Sequence, residues 1–213
     1  MKNQIKKHKE LLFYITELDN YRGEITNPTL SAARTFFEVK DYELAIQDIK
    51  KYFGIPPTVK LLVQRKLSLE VSTGANITIP AGLFQGNYIQ LHNRTYVIQI
   101  NPSSFNNFSV FAKCVIHELA HLKLFLDGVI GKTPVGKKAY WDIEKAVDTL
   151  AVLYGFGEIY FESRNYCDFN KNEEYINDEE FLFIYKCFKE KKKFNVVKKK
   201  KKWYQKILQK IQI

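Results

Sequence analysis

The sequence contains no uninterrupted apolar run near the roughly 18–20 uncharged residues that a membrane-spanning helix requires. Export is not expected either. The opening stretch MKNQIKKHKELLFYITELDN starts basic, but its apolar patch is short, runs into acidic residues and ends at no small-residue cleavage site. Cysteine is scarce, and Cys114, Cys167 and Cys187 form no CxxC pair and leave one over in any pairing. That suits a reducing cytoplasm with buried thiols better than a disulfide framework. No internal repeat is present, so solenoid and propeller architectures are not expected. Histidine is rare too, with four in 213 residues.

An excess of charge of either sign is missing from most of the chain. The net charge is +10, but twelve Lys and one Glu lie between Lys186 and the end, a local balance of +11. The other 185 residues hold 21 basic and 22 acidic side chains and are nearly neutral. The basic character therefore belongs to a tail. What the body has in quantity is core-forming material: 46% hydrophobic residues, with 16 Phe and 13 Tyr. This is enough for one packed domain, assigned to residues 1–188, with residues 189–213 as a basic appendage.

Hydrophobic periodicity and turn residues divide the body into three parts. Residues 1–55 read as helical, around Leu11 to Leu18, in TLSAARTFFEV, and in DYELAIQDIKKYF closed by Gly54. After Pro56-Pro57 come short β-rich runs, TVKLLVQ, NITI (76–79), YIQLH (88–92) and TYVIQI (95–100). The last two are separated by Asn93-Arg94, as in a tight hairpin. An apolar run from about Val110 to Leu126 predicts a helix stopped by Asp127-Gly128, and Gly131, Pro134 and Gly136 mark a loop. A further helix is predicted from about Ala139 to Tyr154, with Gly155 as its C-terminal cap. The expected class is α+β: N-terminal helices, a small mostly antiparallel sheet, then two helices.

The first of those two helices carries VIHELAH. Residues four apart share a helix face, so His117 and His121 can converge on one ion, each offering a nitrogen at about 2.0–2.1 Å from zinc. Glu118, offset by about 100°, can reach a metal-bound water without occupying the metal. Chance alone would place H-E-x-x-H in about half a percent of chains of this composition. The bland alternative is a helix that happens to carry two histidines. Apart from Lys113 and Lys123 the surrounding run is apolar, so the helix should be buried and its polar groups need partners. Zinc would satisfy all three.

A catalytic zinc takes three protein ligands and keeps a fourth position open. No histidine follows His121. Asp127 stands six residues on, but Leu124 replaces the glycine that such a turn needs, and His92 sits on a predicted strand. The following helix, YWDIEKAVDTLAVLYGFG, offers Glu144 and Asp148 on one face. They are either a solvated surface pair or a site pair, with Glu144 on the metal and Asp148 accepting the outer N–H of a ligand histidine.

HELAH followed by EKAVD resembles the gluzincin zinc metallopeptidases, a group that includes thermolysin-like enzymes and CAAX prenyl proteases. The resemblance covers about residues 95–155. It implies a zincin-like fold with His117, His121 and Glu144 as zinc ligands, Glu118 as general base and Asp148 behind the first histidine. Unlike the CAAX proteases this chain has no membrane spans, and no residue matches the group's oxyanion-stabilising Tyr, His or Arg by motif. In zincin folds the strand before the active-site helix is a sheet edge that pairs with substrate backbone. TYVIQINP occupies that place, which makes Tyr96, Ile98 and Ile100 the expected substrate-binding strand, with an ordinary sheet strand as the alternative.

The tail, KKKFNVVKKKKKWYQKILQKIQI, places Trp203, Tyr204, Ile207, Leu208 and Ile211 on one side of a helical wheel. With Lys198, Lys199, Lys200, Lys201 and Lys202 before it, this suits an anionic membrane surface, peripheral to the inner face of a membrane. Nucleic acid and docking on the domain itself are the rival readings. Two functions follow as expectations. One is a zinc-dependent peptidase acting on a protein or peptide. The other is a non-catalytic zinc-containing regulator or pseudoprotease that engages membrane or nucleic acid through the tail.

Overall fold

The helix bearing the paired histidines lies at the centre of the molecule. A computed structural model describes Leu11, Ile15 and Leu18 and residues 28–65, 75–78, 95–100, 102–128, 137–166 and 175–193. These residues are mostly helical and carry one small sheet. Leu11, Ile15 and Leu18 are helical and buried. Helix α1 spans Ser31–Glu38 and α2 spans Tyr42–Lys51. The start of α2 is set by Asp41, whose side chain accepts the Leu44 N–H, and Gly54 reverses the chain beyond its end with φ 62°.

Three strands follow, β1 (Lys60–Arg65), β2 (Ala75–Thr78) and β3 (Thr95–Ile100), in the order β1-β3-β2. β1 runs parallel to β3 in the register Lys60↔Thr95 to Arg65↔Ile100, and β2 runs antiparallel to it with Ile77↔Ile98. One pairing of two is parallel, so the described sheet is mixed rather than mostly antiparallel. The run YIQLH, the turn at Asn93-Arg94, His92, Cys167, the loop glycines 131 and 136 and the tail from residue 194 lie outside the described residues.

Alternation places Tyr96, Ile98 and Ile100 on the buried face of β3, with Ile98 and Ile100 fully enclosed. The sheet packs on helix α3, Phe108–Leu126. Asn107 caps α3 by accepting the N–H groups of Ser109 and Val110. Twelve of its nineteen residues are buried, which makes it a core element against which the sheet, α2 and the next two helices of the chain pack. A ring cluster of Phe37, Tyr42, Phe105, Phe108 and Phe111 holds its first turns against α1 and α2. At its other end Gly128, with φ 69°, turns the chain.

Helix α4, Lys137–Ala151, packs on α3. It opens into a π-helical turn, Val152–Phe156, in which Gly155 takes φ 96°. The expected stop at Gly155 is there, but the chain re-enters a helix at once, α5 (Gly157–Arg164). Gly157 has no room for a side chain, because a Cβ there would meet the Tyr185 ring at 2.4 Å. Tyr185 belongs to α6, Asp178–Lys193. Asn177 and Glu180 cap α6 reciprocally. The helix continues through residue 193, past the boundary expected at 188. Among the described residues no helix is long and apolar enough to cross a membrane.

Candidate metal centre

The histidine pair stands on α3 because that helix is unbroken from Phe108 to Leu126, so residues 117 and 121 share a face. Their rings meet edge to face with centroids 4.8 Å apart. Across from them α4 presents Glu144 and Asp148, one helical turn apart and both buried, at 5% and 4% exposure. The surface-pair reading of these two carboxylates is therefore set aside. They face the histidines.

His117 Nε2, His121 Nε2 and Glu144 Oε2 form a small triangle. Its sides are 3.2 Å between the two nitrogens, 3.0 Å from His117 to Glu144 and 3.1 Å from His121 to Glu144. Donors about 2.0–2.1 Å from a tetrahedral ion stand about 3.3–3.4 Å apart, so each side would open by only a few tenths of an ångström to admit one. These three residues could hold a metal ion. The outer nitrogen of His117 supports the fit. Its Nδ1 lies 2.8 Å from Asp148 Oδ1, and an Nδ1–H donated there leaves the Nε2 lone pair facing the triangle in the neutral imidazole.

The electrostatics demand positive charge at the same spot. For Glu144, burial pushes the carboxyl up, but hydrogen bonds to His117 and His121 and their charge outweigh it and hold the group at about 2. For His117, burial pushes the imidazole down, yet its hydrogen bonds to Asp148 and Glu144 and the charges of Asp148 and Glu118 raise it well above the ordinary value. In the metal-free protein a proton on His117 is thus the competitor of a metal ion.

Glu118 is buried, 4% exposed, and is not one of the three converging donors. Its charge acts on both His117 and Tyr160, so it lies beside the site, as its position one residue after His117 requires. Asp127 binds Lys123 through both carboxylate oxygens at 2.7 Å and stands apart from the cluster.

Two expectations about the site need amendment. β3 is the central strand, with β1 on one side and β2 on the other, so it is not a sheet edge. Tyr96, Ile98 and Ile100 point into the core at 5%, 0% and 0% exposure. Ile98 and Ile100 pair with both β1 and β2, Tyr96 pairs with β1, and all three side chains are buried, unlike the open edge expected for a substrate-binding strand. The second amendment adds residues. Tyr160 donates its hydroxyl to Asp148 Oδ1 at 3.0 Å, and the Tyr175 ring stacks on His117 at 5.6 Å between centroids with 15° between planes. Neither had a signature in the sequence. Tyr160 lies beyond Gly155, where the helical pattern was expected to end, and Tyr175 belongs to no periodic run.

No protein-family model, curated protein or solved structure matches this chain.

Proposed function

We propose that the chain is a zinc-dependent peptidase with a zincin-like fold, in which His117, His121 and Glu144 hold the ion. The observation that carries this reading is the meeting of three donors from two helices within 3.2 Å, with Asp148 on the outer nitrogen of one of them. Two nitrogens and one carboxylate oxygen are a donor set that suits zinc and leaves a fourth position open. Bound there, zinc supplies a Lewis acid that polarises a scissile carbonyl and acidifies water.

The protein's own groups do the rest. Asp148 fixes the His117 ring and its protonation. Glu144 stays ionised and contributes the negative charge that binds a dication. Glu118, outside the triangle but adjacent to it, takes a proton from the attacking water on its carboxylate and passes it to the leaving amine nitrogen. His117 and His121 keep 16% and 17% of their side-chain surface, which favours access from one side.

Retention of Glu118 favours the enzyme over a regulator with a structural metal, because a closed structural site needs no base. The deciding experiment compares wild type with Glu118→Gln for zinc content and for cleaved protein termini in cells. Zinc in both, with new termini only in wild type, supports a peptidase. Identical termini select the regulator. For the tail we propose an anionic membrane surface as partner, through Lys198 to Lys202 and Trp203, on the strength of a polybasic run directly before an amphipathic segment.

A further inference from the structure

On a straight helix, Tyr160 would stand about 18 Å along the axis from Asp148, twelve residues away. It is instead 3.0 Å from Asp148 Oδ1. The turn Val152–Phe156 accomplishes this, because Gly155 at φ 96° redirects the chain so that α5 packs on α3 and carries the Tyr160 hydroxyl back to Asp148. The result is an ordered line of groups from three helices. Tyr160 on α5 donates to Asp148 on α4, and Asp148 Oδ1 also accepts from His117 Nδ1 on α3 at 2.8 Å.

We propose that Tyr160 is a positioning residue for the metal centre. Its hydroxyl holds the Asp148 carboxylate in the orientation that keeps the Nδ1–H of His117 outward and the Nε2 lone pair toward His121 and Glu144. A carboxylate on a helix has a freely turning terminal torsion, and a single bond to His117 leaves it free to swing. A second donor on the same oxygen removes that freedom. Tyr160 is 1% exposed, so water does not take its place. Burial and the Asp148 charge push the phenol well above its ordinary value, so the hydroxyl keeps its proton and remains the donor. Lys113 over the Tyr160 ring, 5.7 Å from the centroid, further seats the side chain.

This inference rests on the metal-centre reading, and a double-mutant cycle on zinc affinity separates the two. The four proteins are wild type, Tyr160→Phe, Asp148→Ala and the double variant, titrated with zinc against a chromophoric chelator. Removing the partner of a ligand histidine is expected to weaken affinity about 10–100-fold. Tyr160→Phe should weaken it by about tenfold in the wild-type background and not at all in the Asp148→Ala background, since it acts through that carboxylate. An equal loss in both backgrounds, or none in the first, overturns the proposal while leaving the metal centre intact. If wild type takes up no zinc, the metal centre falls and this role falls with it. Should either variant fail to fold, NMR of the wild type decides. A Tyr160 hydroxyl proton protected from exchange and close to the His117 Hδ1 is the expected result, and a freely exchanging one overturns the assignment.

Discussion

His117 Nδ1 and Asp148 Oδ1 lie 2.8 Å apart, although 31 residues separate them and they stand on different helices. That contact ties the orientation of a ligand-type imidazole to the packing of α4 on α3. The site is thus only as well formed as the helix pair. Glu144, one turn before Asp148, is brought to the same histidine by the same packing.

Metal content is the first expected outcome. Purified protein should hold about one zinc per chain. The double variant His117→Ala, His121→Ala should lose it, and near-stoichiometric zinc in that variant would contradict the site. Glu144→Ala should weaken retention, whereas Asp127→Ala should not, because Asp127 is engaged by Lys123. A reversal of those last two results would move the third ligand to Asp127.

Proton competition sets the pH dependence of binding. In the metal-free protein His117 titrates well above the usual imidazole range, so at neutral pH the metal must displace its proton. Affinity should therefore fall as pH falls, and uptake at pH 7 should release protons. Glu144, held at about 2, stays ionised above pH 4 and adds nothing to this slope. Calorimetry in two buffers of different ionisation enthalpy measures the release, and buffer-independent heats would refute it.

Glu118→Gln should keep zinc and folded stability while turnover drops about 10²–10⁴-fold, the usual cost of removing a general base. Equal activity in the two proteins would end the peptidase reading even with zinc present.

Gly155→Ala should destabilise the protein by about 1–2 kcal/mol, since an L side chain resists the left-handed φ of 96° that the turn requires. Because the turn delivers Tyr160 to Asp148, zinc affinity should fall as well. Chemical denaturation and zinc titration on the same sample check both halves, and an unchanged unfolding midpoint would show that the turn tolerates a side chain.

Truncation of Lys198 to Ile213 should leave zinc binding and the fold intact while reducing binding to anionic lipid vesicles in a salt-sensitive way. Vesicle binding that survives the truncation would reject the membrane role of the tail.

Local patterns carried much of the site. The spacing of His117 and His121, the apolar run around them, and the spacing of Glu144 and Asp148 are consequences of 3.6 residues per turn, and a single segment is enough to display them. The same holds for the stops at Gly54, Gly128 and Gly155. Tertiary structure decided the rest. Only helix packing brings Glu144 within 3.1 Å of His121. Strand partners are chosen by contacts far apart in the chain, so β3 could be read as a strand but not as the central one, and its parallel pairing with β1 had no local mark. Gly155 signalled a stop from its residue type alone. That the chain resumes as α5 and returns Tyr160 to Asp148 depends on what the turn packs against, which no window of neighbouring residues contains.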